Sequence, residues 1–256
     1  MAPRKRVVAH LLSGLLVLPV LYLVLLSLAR EWRFPAVMPP VITLQNWVSL
    51  FTVERSLLES LLLSLVISVS VAIVVTAASF LISRRIAYHP RRDRLLLLCY
   101  LPYILSPVIY AACLYFYFVK LKLAGSLGGV LIGQLAITFP FGLIVFTSYW
   151  NHHLKNLEEL VATLGGNPLQ TLWRVLVPVS RGILLVVFFQ VFLISWFEYG
   201  LTSFLGVGKV QTLTIKVYQY LYEGNIYFSA LAACLLILPP TVLFWVNKRF
   251  IFRSLA

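Results

Sequence analysis

The chain has 256 residues, of which 61% are hydrophobic and 11% are charged, and its formal net charge at pH 7 is +13. A soluble domain is about half apolar and about one quarter charged, so this chain carries more apolar surface than its own core can bury. This excludes an ordinary soluble protein and predicts a membrane protein. The basic residues lie in short segments between long apolar runs, so we interpret them as a topology signal and as contacts to anionic lipid head groups, not to nucleic acid.

Six apolar stretches are long enough to cross a bilayer, because about 20 helical residues span a hydrocarbon core about 30 Å thick. The runs are continuous and lack the alternation of barrel strands, which predicts an all-α membrane protein. We place the spans at residues 9–29, 57–83, 95–119, 129–150, 182–205 and 227–246. The first follows a basic segment, as a secretory signal does, and Ser27 and Ala29 match the small residues of a cleavage site. Its apolar run exceeds a signal core, so we interpret it as a retained span.

The distribution of basic residues orients these six spans. One set of connections and chain ends holds 14 of the 21 lysines and arginines, and the opposite set holds 7. The positive-inside rule therefore places both termini in the cytoplasm. The connection 30–56 is then an extracytoplasmic loop, with a short amphipathic piece at residues 44–51. Prolines inside the spans are expected to kink their helices: Pro102, Pro107, Pro140, Pro239 and Pro240.

The cytoplasmic connection 151–181 has the pattern of two short helices. Asn156 is predicted to cap the first helix and to place Glu158 and Glu159 in its first turn, at the positive end of the helix dipole. Leucines and a valine at helical spacing give this helix an apolar stripe: Leu157, Leu160, Val161 and Leu164. The segment 165–168 stops the helix, since glycine accepts a left-handed cap and proline cannot continue it. A second helix is predicted from about residue 169 to residue 178. The stripe needs burial on the chain's own helices, on the membrane surface or on a partner.

This connection resembles the EAA motif of permease subunits of ATP-binding-cassette importers, E-A-A-x3-G-x9-I-x-L-P. Residues 159–161 stand for E-A-A, Gly165 falls at the glycine, and residues 175–178 match I-x-L-P in spacing, although larger residues replace both alanines. Segments around residues 42–47, 196–205, 211–213 and 223–224 are also similar to the family. The resemblance is closest to the polyamine, ferric iron, thiamine and phosphonate or sulfate branch.

The resemblance implies a type I importer permease, a single transmembrane domain over residues 1–256, in the bacterial plasma (inner) membrane. The connection 151–181 would couple to a separate ATPase dimer, with a second identical or homologous permease subunit and an extracytoplasmic solute-binding protein as further partners. ATP and Mg²⁺ would bind the ATPase and no cofactor would bind this chain. The residues implied in coupling are Glu158, Glu159, Ala162, Leu164, Gly165, Asn167, Pro168 and Pro178. Residues 156–178 would form the coupling contact, and we call the whole connection 151–181 the elbow. Glu159 is expected to hold the elbow to neighbouring polar groups, and Gly165 to allow close backbone approach.

The chain shows no ATPase motif and no metal site of its own. Residues 206–210 approach a phosphate-binding loop but lack its first glycine and the hydroxyl after the lysine, so the chain is not predicted to be an enzyme. The three cysteines and four histidines form no metal-ligand or disulfide pattern.

Polar side chains inside the spans are candidates for the translocation pathway. Glu198 either faces a pathway or subunit interface, or it is a packing carboxylate bonded to Tyr199 or to backbone. The further pathway candidates are Trp196, Tyr199, Tyr103 and Tyr110. Two other functions stay open: an ion-coupled secondary transporter, against which the absence of an evident inverted repeat speaks, and a membrane scaffold, assembly factor or enzyme.

Overall fold

The computed structural model describes the backbone of residues 3–32, 36, 38–52 and 54–254, and within these ranges the side chains of residues 14–15, 17–102 and 104–245. The described chain is mostly helical, as predicted. Its elements in order are α1 Pro3–Ser27, β1 Ala29–Arg30, β2 Val41–Ile42, α2 Gln45–Thr52, α3 Arg55–Ala87, α4 Arg92–Ile104, α5 Pro107–Lys120, α6 Leu127–Tyr149, α7 His152–Thr163, α8 Pro168–Thr171, a π-helical turn Leu172–Leu176, α9 Val177–Val179, α10 Arg181–Trp196, α11 Gly200–Gly206, α12 Leu213–Tyr222 and α13 Ile226–Ser254.

Three helices of the described chain are long and apolar enough to cross a membrane. They are α3, α6 and the Ile226–Trp245 part of α13, with mean hydropathies of 2.6, 2.0 and 2.0. Two helix pairs, each bent at a short break, raise the number of candidate spans to as many as five. The described apolar part of α1, Val17–Ser27, is shorter than these. The six-span topology therefore stays a prediction.

The third predicted span is not one continuous helix. Residues 95–119 divide between α4 and α5, whose axes differ by 89°. Leu105 and Ser106 at the break are extended, each with ψ 142°. Proline lacks a backbone N–H and disfavours helical backbone in the residue before it, so Pro107 starts α5 and ends the preceding run. In contrast, α6 continues through Pro140 and α13 through Pro239 and Pro240.

The fifth predicted span is also interrupted. Residues 182–205 form α10, which ends at Trp196, and α11, which begins at Gly200. The three residues between them include Glu198, whose bonds are described below. Apolarity alone had indicated a single helix here.

Contacts divide the chain into two compact units. Residues 1–63 with 211–241 form the first unit. Here β1 pairs antiparallel with β2, with Ala29 opposite Ile42. The amphipathic piece predicted at 44–51 is confirmed as α2. Its Asn46 amide donates to the carbonyls of Ser27 and Ala29, at 3.0 and 3.1 Å.

In the same unit, the Tyr220 hydroxyl on α12 donates to the Glu54 carboxylate at 3.0 Å. Burial and then this bond raise the pKa of Tyr220 to about 12, so the phenol keeps its proton and remains the donor at physiological pH.

Residues 64–210 and 242–256 form the second unit, in which α6 packs against α4, α5, α10 and α11. Glycines on α6 allow close packing: a Cβ at Gly133 would lie 2.4 Å from Leu205, and one at Gly142 would lie 2.3 Å from the Ser79 hydroxyl on α3. Such small-residue contacts are typical of membrane helices.

A polar cluster at the centre of this unit links four elements. The fully buried Gln134 of α6 donates to the Thr202 hydroxyl of α11 at 2.9 Å and accepts from Ser195 of α10. Ser195 also lies 3.3 Å from the hydroxyl of Ser68 on α3. These bonds satisfy side chains that are buried inside apolar helices, where an unpaired polar group is costly.

We expect Gln134→Leu to destabilise the protein, because it leaves Thr202 and Ser195 without this partner. Interhelical hydrogen bonds in membranes are worth up to about 2 kcal/mol. Thermal unfolding of the detergent-solubilised protein measures the loss. The control is Gln190→Leu, which changes an exposed glutamine on α10. Equal stability of both variants would show that the bonds of Gln134 do not stabilise this unit.

Candidate functional site

The segment 151–181 forms the predicted elbow, but its first helix begins earlier than predicted. Asn151 has an extended backbone and its side chain accepts from the Leu154 N–H at 3.0 Å, capping α7. Asn156, the predicted cap, lies within the helix. An N-cap needs a non-helical backbone, which the chain provides where it leaves α6 at Trp150. Glu158 and Glu159 consequently lie beyond the first turn.

The predicted left-handed end of α7 is confirmed. Gly165 has φ +79°, and two bonds close the turn: Gly166 N–H to Val161 O at 2.9 Å and Gly165 N–H to Ala162 O at 3.0 Å. This is a Schellman ending, in which glycine avoids the penalty of a Cβ. A Cβ at Gly165 would meet no atom within 4 Å, whereas one at Gly166 would lie 2.4 Å from Val161. Within this chain Gly166 is therefore the more closely packed of the two glycines, and a close backbone approach at Gly165 stays a prediction.

The second half of the elbow begins with a capping box. The Asn167 side chain accepts from the Gln170 N–H at 2.7 Å, and the Gln170 side chain accepts from the Asn167 N–H at 3.1 Å. Pro168 occupies the first turn of α8, where its missing N–H costs nothing. The helix expected from residue 169 thus begins at residue 168, and it passes through the π-helical turn into α9, which contains Pro178. A bend of 76° separates this segment from α10.

An ion pair fastens the elbow to α3. Glu158 pairs with Arg84, and their side chains are 13% and 33% exposed. The Tyr88 hydroxyl adds a bond to the Asn151 carbonyl at 3.1 Å. Burial first, and then the charge of Glu158, raise the pKa of Tyr88, so this donor stays protonated.

Glu159 was predicted to hold the elbow to neighbouring polar groups, and the ion pair that it makes within this chain lies on its own helix. Its side chain is 64% exposed, and its carboxylate lies 3.7 Å from Lys155 one turn earlier on the same helix. The two glutamates are adjacent, so helix geometry points them in different directions, and Glu158 is the one that faces α3.

The tip of the elbow exposes large apolar side chains. Leu160, Leu164 and Leu169 are 55%, 80% and 68% exposed, whereas Leu154 on α7 is buried. Four further residues of the predicted coupling set are exposed too: Ala162, Asn167, Pro168 and Pro178. The exposed apolar surface is therefore concentrated around the turn between α7 and α8.

Glu198 lies in the break between α10 and α11. Its carboxylate accepts from the N–H groups of Leu201 and Thr202 at 2.6 and 2.8 Å, and from the Thr202 hydroxyl at 2.6 Å. These donors belong to the first turn of α11, where N–H groups have no helical acceptor. Of the two alternatives for Glu198, these bonds fit the packing carboxylate.

The remaining pathway candidates lie on α4, α5 and α10 and in the break after α10. Trp196 is 1% exposed and its ring stacks on Phe192 with centroids 5.5 Å apart, which indicates a packing role. Tyr110 and Tyr199 are half-buried. The Tyr103 side chain lies outside the described residues. A pathway role for this set stays a prediction.

Sequence reasoning missed two residues that organise these sites. Arg84 was counted only as a topology signal, and its partner lies 74 positions away, so no local pattern could pair them. Gln134 did carry a signal, because an amide in the middle of an apolar stretch requires a partner in the membrane.

Comparison with known proteins adds three findings. Residues 76–254 match the family described as binding-protein-dependent transport system inner membrane component. The chain is 23% identical over 228 residues to the inner membrane ABC transporter permease protein YcjP of Escherichia coli (strain K12), covering 87% of this chain and 81% of that protein. It also matches a chain from the crystal structure of a bacterial ABC transporter involved in the import of the acidic polysaccharide alginate, with a TM-score of 0.65, 16% identity and 98% of each chain covered. At that identity the structural match shows a shared fold.

We expect Glu158→Gln to loosen the elbow, because the neutral amide gives up the ion pair with Arg84. A hydrogen bond to a charged group is worth about 1.5–3 kcal/mol, so local opening should rise roughly 10- to 100-fold. Hydrogen exchange of the α7 amides, followed by mass spectrometry, measures it.

The matched control is Glu159→Gln, which removes the adjacent exposed carboxylate and should leave α7 exchange unchanged. The double variant Arg84→Glu/Glu158→Arg should restore much of the protection. If the two single variants exchange at the same rate, the Arg84–Glu158 pair does not hold α7 to α3.

Proposed function

The chain belongs to the family of binding-protein-dependent transport system inner membrane components, and we propose that its elbow, residues 151–181, is the segment through which an ATPase drives it. The protein is a permease component of an ATP-binding-cassette importer. Members of this family work with an ATPase and a substrate-binding protein, and ATP hydrolysis is assigned to the ATPase subunit.

The exposed leucines at the elbow tip carry this proposal. Burying a leucine stabilises an association by about 1.5–3 kcal/mol, so Leu160, Leu164 and Leu169 supply a strong driving force for contact. A helix lying flat on lipid would expose its apolar stripe along its whole length. Here Leu157 and Val161 are half-buried, and the apolar side chains are most exposed at the turn between α7 and α8. This pattern fits a protruding tip that inserts into a groove on a partner.

The anchoring contacts suit rigid transmission of movement. Closure of two ATPase subunits on ATP would displace the elbow, and the Arg84–Glu158 pair would carry that displacement to α3. The permease would then alternate between inward-facing and outward-facing states. In this scheme Mg²⁺ and ATP belong to the ATPase dimer, and the chain itself binds no cofactor.

The rest of the assembly follows from the same proposal. Residues 1–256 form one type I transmembrane domain in a bacterial inner membrane, beside a second identical or homologous permease and below an extracytoplasmic solute-binding protein. The six spans are α1, α3, α4 with α5, α6, α10 with α11, and α13. The excess of basic residues on one side supports cytoplasmic termini.

We expect Leu164→Glu to uncouple the importer, because it places a charge at the most exposed apolar residue of the elbow tip. Loss of one buried leucine corresponds to roughly 10- to 100-fold weaker ATPase binding. ATP-dependent uptake into vesicles and co-purification of the ATPase measure the effect. Leu44→Glu is the matched control, since Leu44 is 67% exposed and lies in the predicted extracytoplasmic loop. Unimpaired uptake by Leu164→Glu would contradict the proposed coupling.

The topology has its own test in single-cysteine variants, made after Cys99, Cys113 and Cys234 are replaced by serine. A membrane-impermeant thiol reagent applied from outside should label Ser126→Cys, between α5 and α6. It should label Thr163→Cys, on the elbow, only after the membrane is opened. Labelling of Thr163→Cys in intact cells would overturn the cytoplasmic assignment.

A further inference from the structure

A cavity of about 370 Å³ lies where the elbow joins α10. Its volume is within the range of about 300–1,000 Å³ typical of small-molecule sites. One wall comes from α3, and the others come from the π-helical turn, α9 and α10. The lining includes Ile73, Thr76, Ala77, Leu81, Trp173 and Leu185.

The lining suits a hydrocarbon. Every lining side chain except Thr76 is apolar, and the buried Thr76 hydroxyl has no hydrogen-bond partner among the described residues. A hydrophilic solute entering this cavity would lose its hydration and could bond to only two side chains of the lining, the Thr76 hydroxyl and the Trp173 indole N–H. Ile73, Leu81 and Leu185 are 55%, 48% and 42% exposed, so the cavity opens on the apolar surface of membrane helices.

Two exposed arginines lie on the same helix faces as this lining. Arg85 follows Leu81 by four residues on α3, and Arg181 precedes Leu185 by four residues on α10, which places each pair on one face. Among the described residues, no carboxylate lies within 4 Å of either guanidinium.

The other charged groups near Arg85 already have partners. Arg85 itself lines a neighbouring cleft, where Glu158 pairs with Arg84 and Glu159 with Lys155. An apolar cavity bordered by unpaired arginines at one end of membrane helices has the features of an anionic lipid site. Trp173, which is 64% exposed, adds the amphipathic ring that is common at membrane interfaces.

We propose that this cavity binds an anionic phospholipid, with an acyl chain among the apolar residues and the phosphate at Arg85 and Arg181. Charge argues against a second copy of the chain as the occupant, since each copy has a net charge of +13 and only 8 acidic residues. The cavity adjoins the 76° bend between α9 and α10, so the lipid would stabilise one angle of the elbow. The lipid site requires only that the chain is in a membrane, and it does not depend on the ATPase coupling proposed above.

The test uses the full-length protein in lipid nanodiscs with phosphatidylglycerol that carries a photoreactive diazirine at the end of one acyl chain. The equivalent phosphatidylcholine is the comparison lipid. We expect phosphatidylglycerol to label peptides from residues 73–81, 172–177 and 184–188 preferentially, by about fivefold for each arginine that contacts the head group. Arg85→Gln/Arg181→Gln should bring labelling down to the phosphatidylcholine level.

The control is Arg91→Gln/Arg94→Gln, which removes the same charge from two exposed arginines that do not border the cavity and should keep the preference. Ala77→Phe fills the cavity and should abolish labelling by both lipids. If this variant does not fold, the surface arginine variants still test the proposal. Equal labelling by the two lipids would overturn the proposal. So would competition by soluble glycerol phosphate, or crosslinks from the cavity to a second copy of the chain.

Discussion

The ion pair between Arg84 and Glu158 holds the elbow to α3. Glu158 is mostly buried, and one of its oxygens has no hydrogen-bond partner among the described residues, so its charge depends on the guanidinium of α3. A carboxylate in that environment is costly without its counter-ion. The elbow therefore cannot tilt away from α3 without separating this pair of charges, so the elbow is expected to move together with α3.

The second constraint is the need to satisfy polar groups inside apolar surroundings. The interruption between α10 and α11 would leave free N–H groups, and the Glu198 carboxylate accepts three hydrogen bonds there. The Thr202 hydroxyl then joins Glu198 to Gln134 on α6. These bonds fit a packing carboxylate, and a role of Glu198 in the translocation pathway stays a prediction.

Composition and periodicity predicted most of the helical fold, and the spacing of the elbow residues predicted the family. The positive φ of Gly165 and the helix α2 followed from local chemistry, so sequence alone was sufficient for them. The prolines predicted a kink in the third span, and the break at Pro107 is larger than a kink. The break between α10 and α11 was not predicted, because hydropathy does not report where backbone hydrogen bonds are interrupted. Glu159 was preferred to Glu158 because the motif's spacing selects it, whereas the anchoring role depends on Arg84, which is distant in sequence. Contacts of that kind are set by tertiary packing and leave no local pattern.

The π-helical turn at Leu172–Leu176 accommodates one residue more than an α-helix would over the same length. Each helical residue turns the chain by about 100° around the helix axis. The extra residue therefore rotates the preceding part of the elbow relative to α10. The number of residues in this single turn thus sets the direction in which the elbow tip points. Insertions and deletions should be far less tolerated there than conservative side-chain replacements.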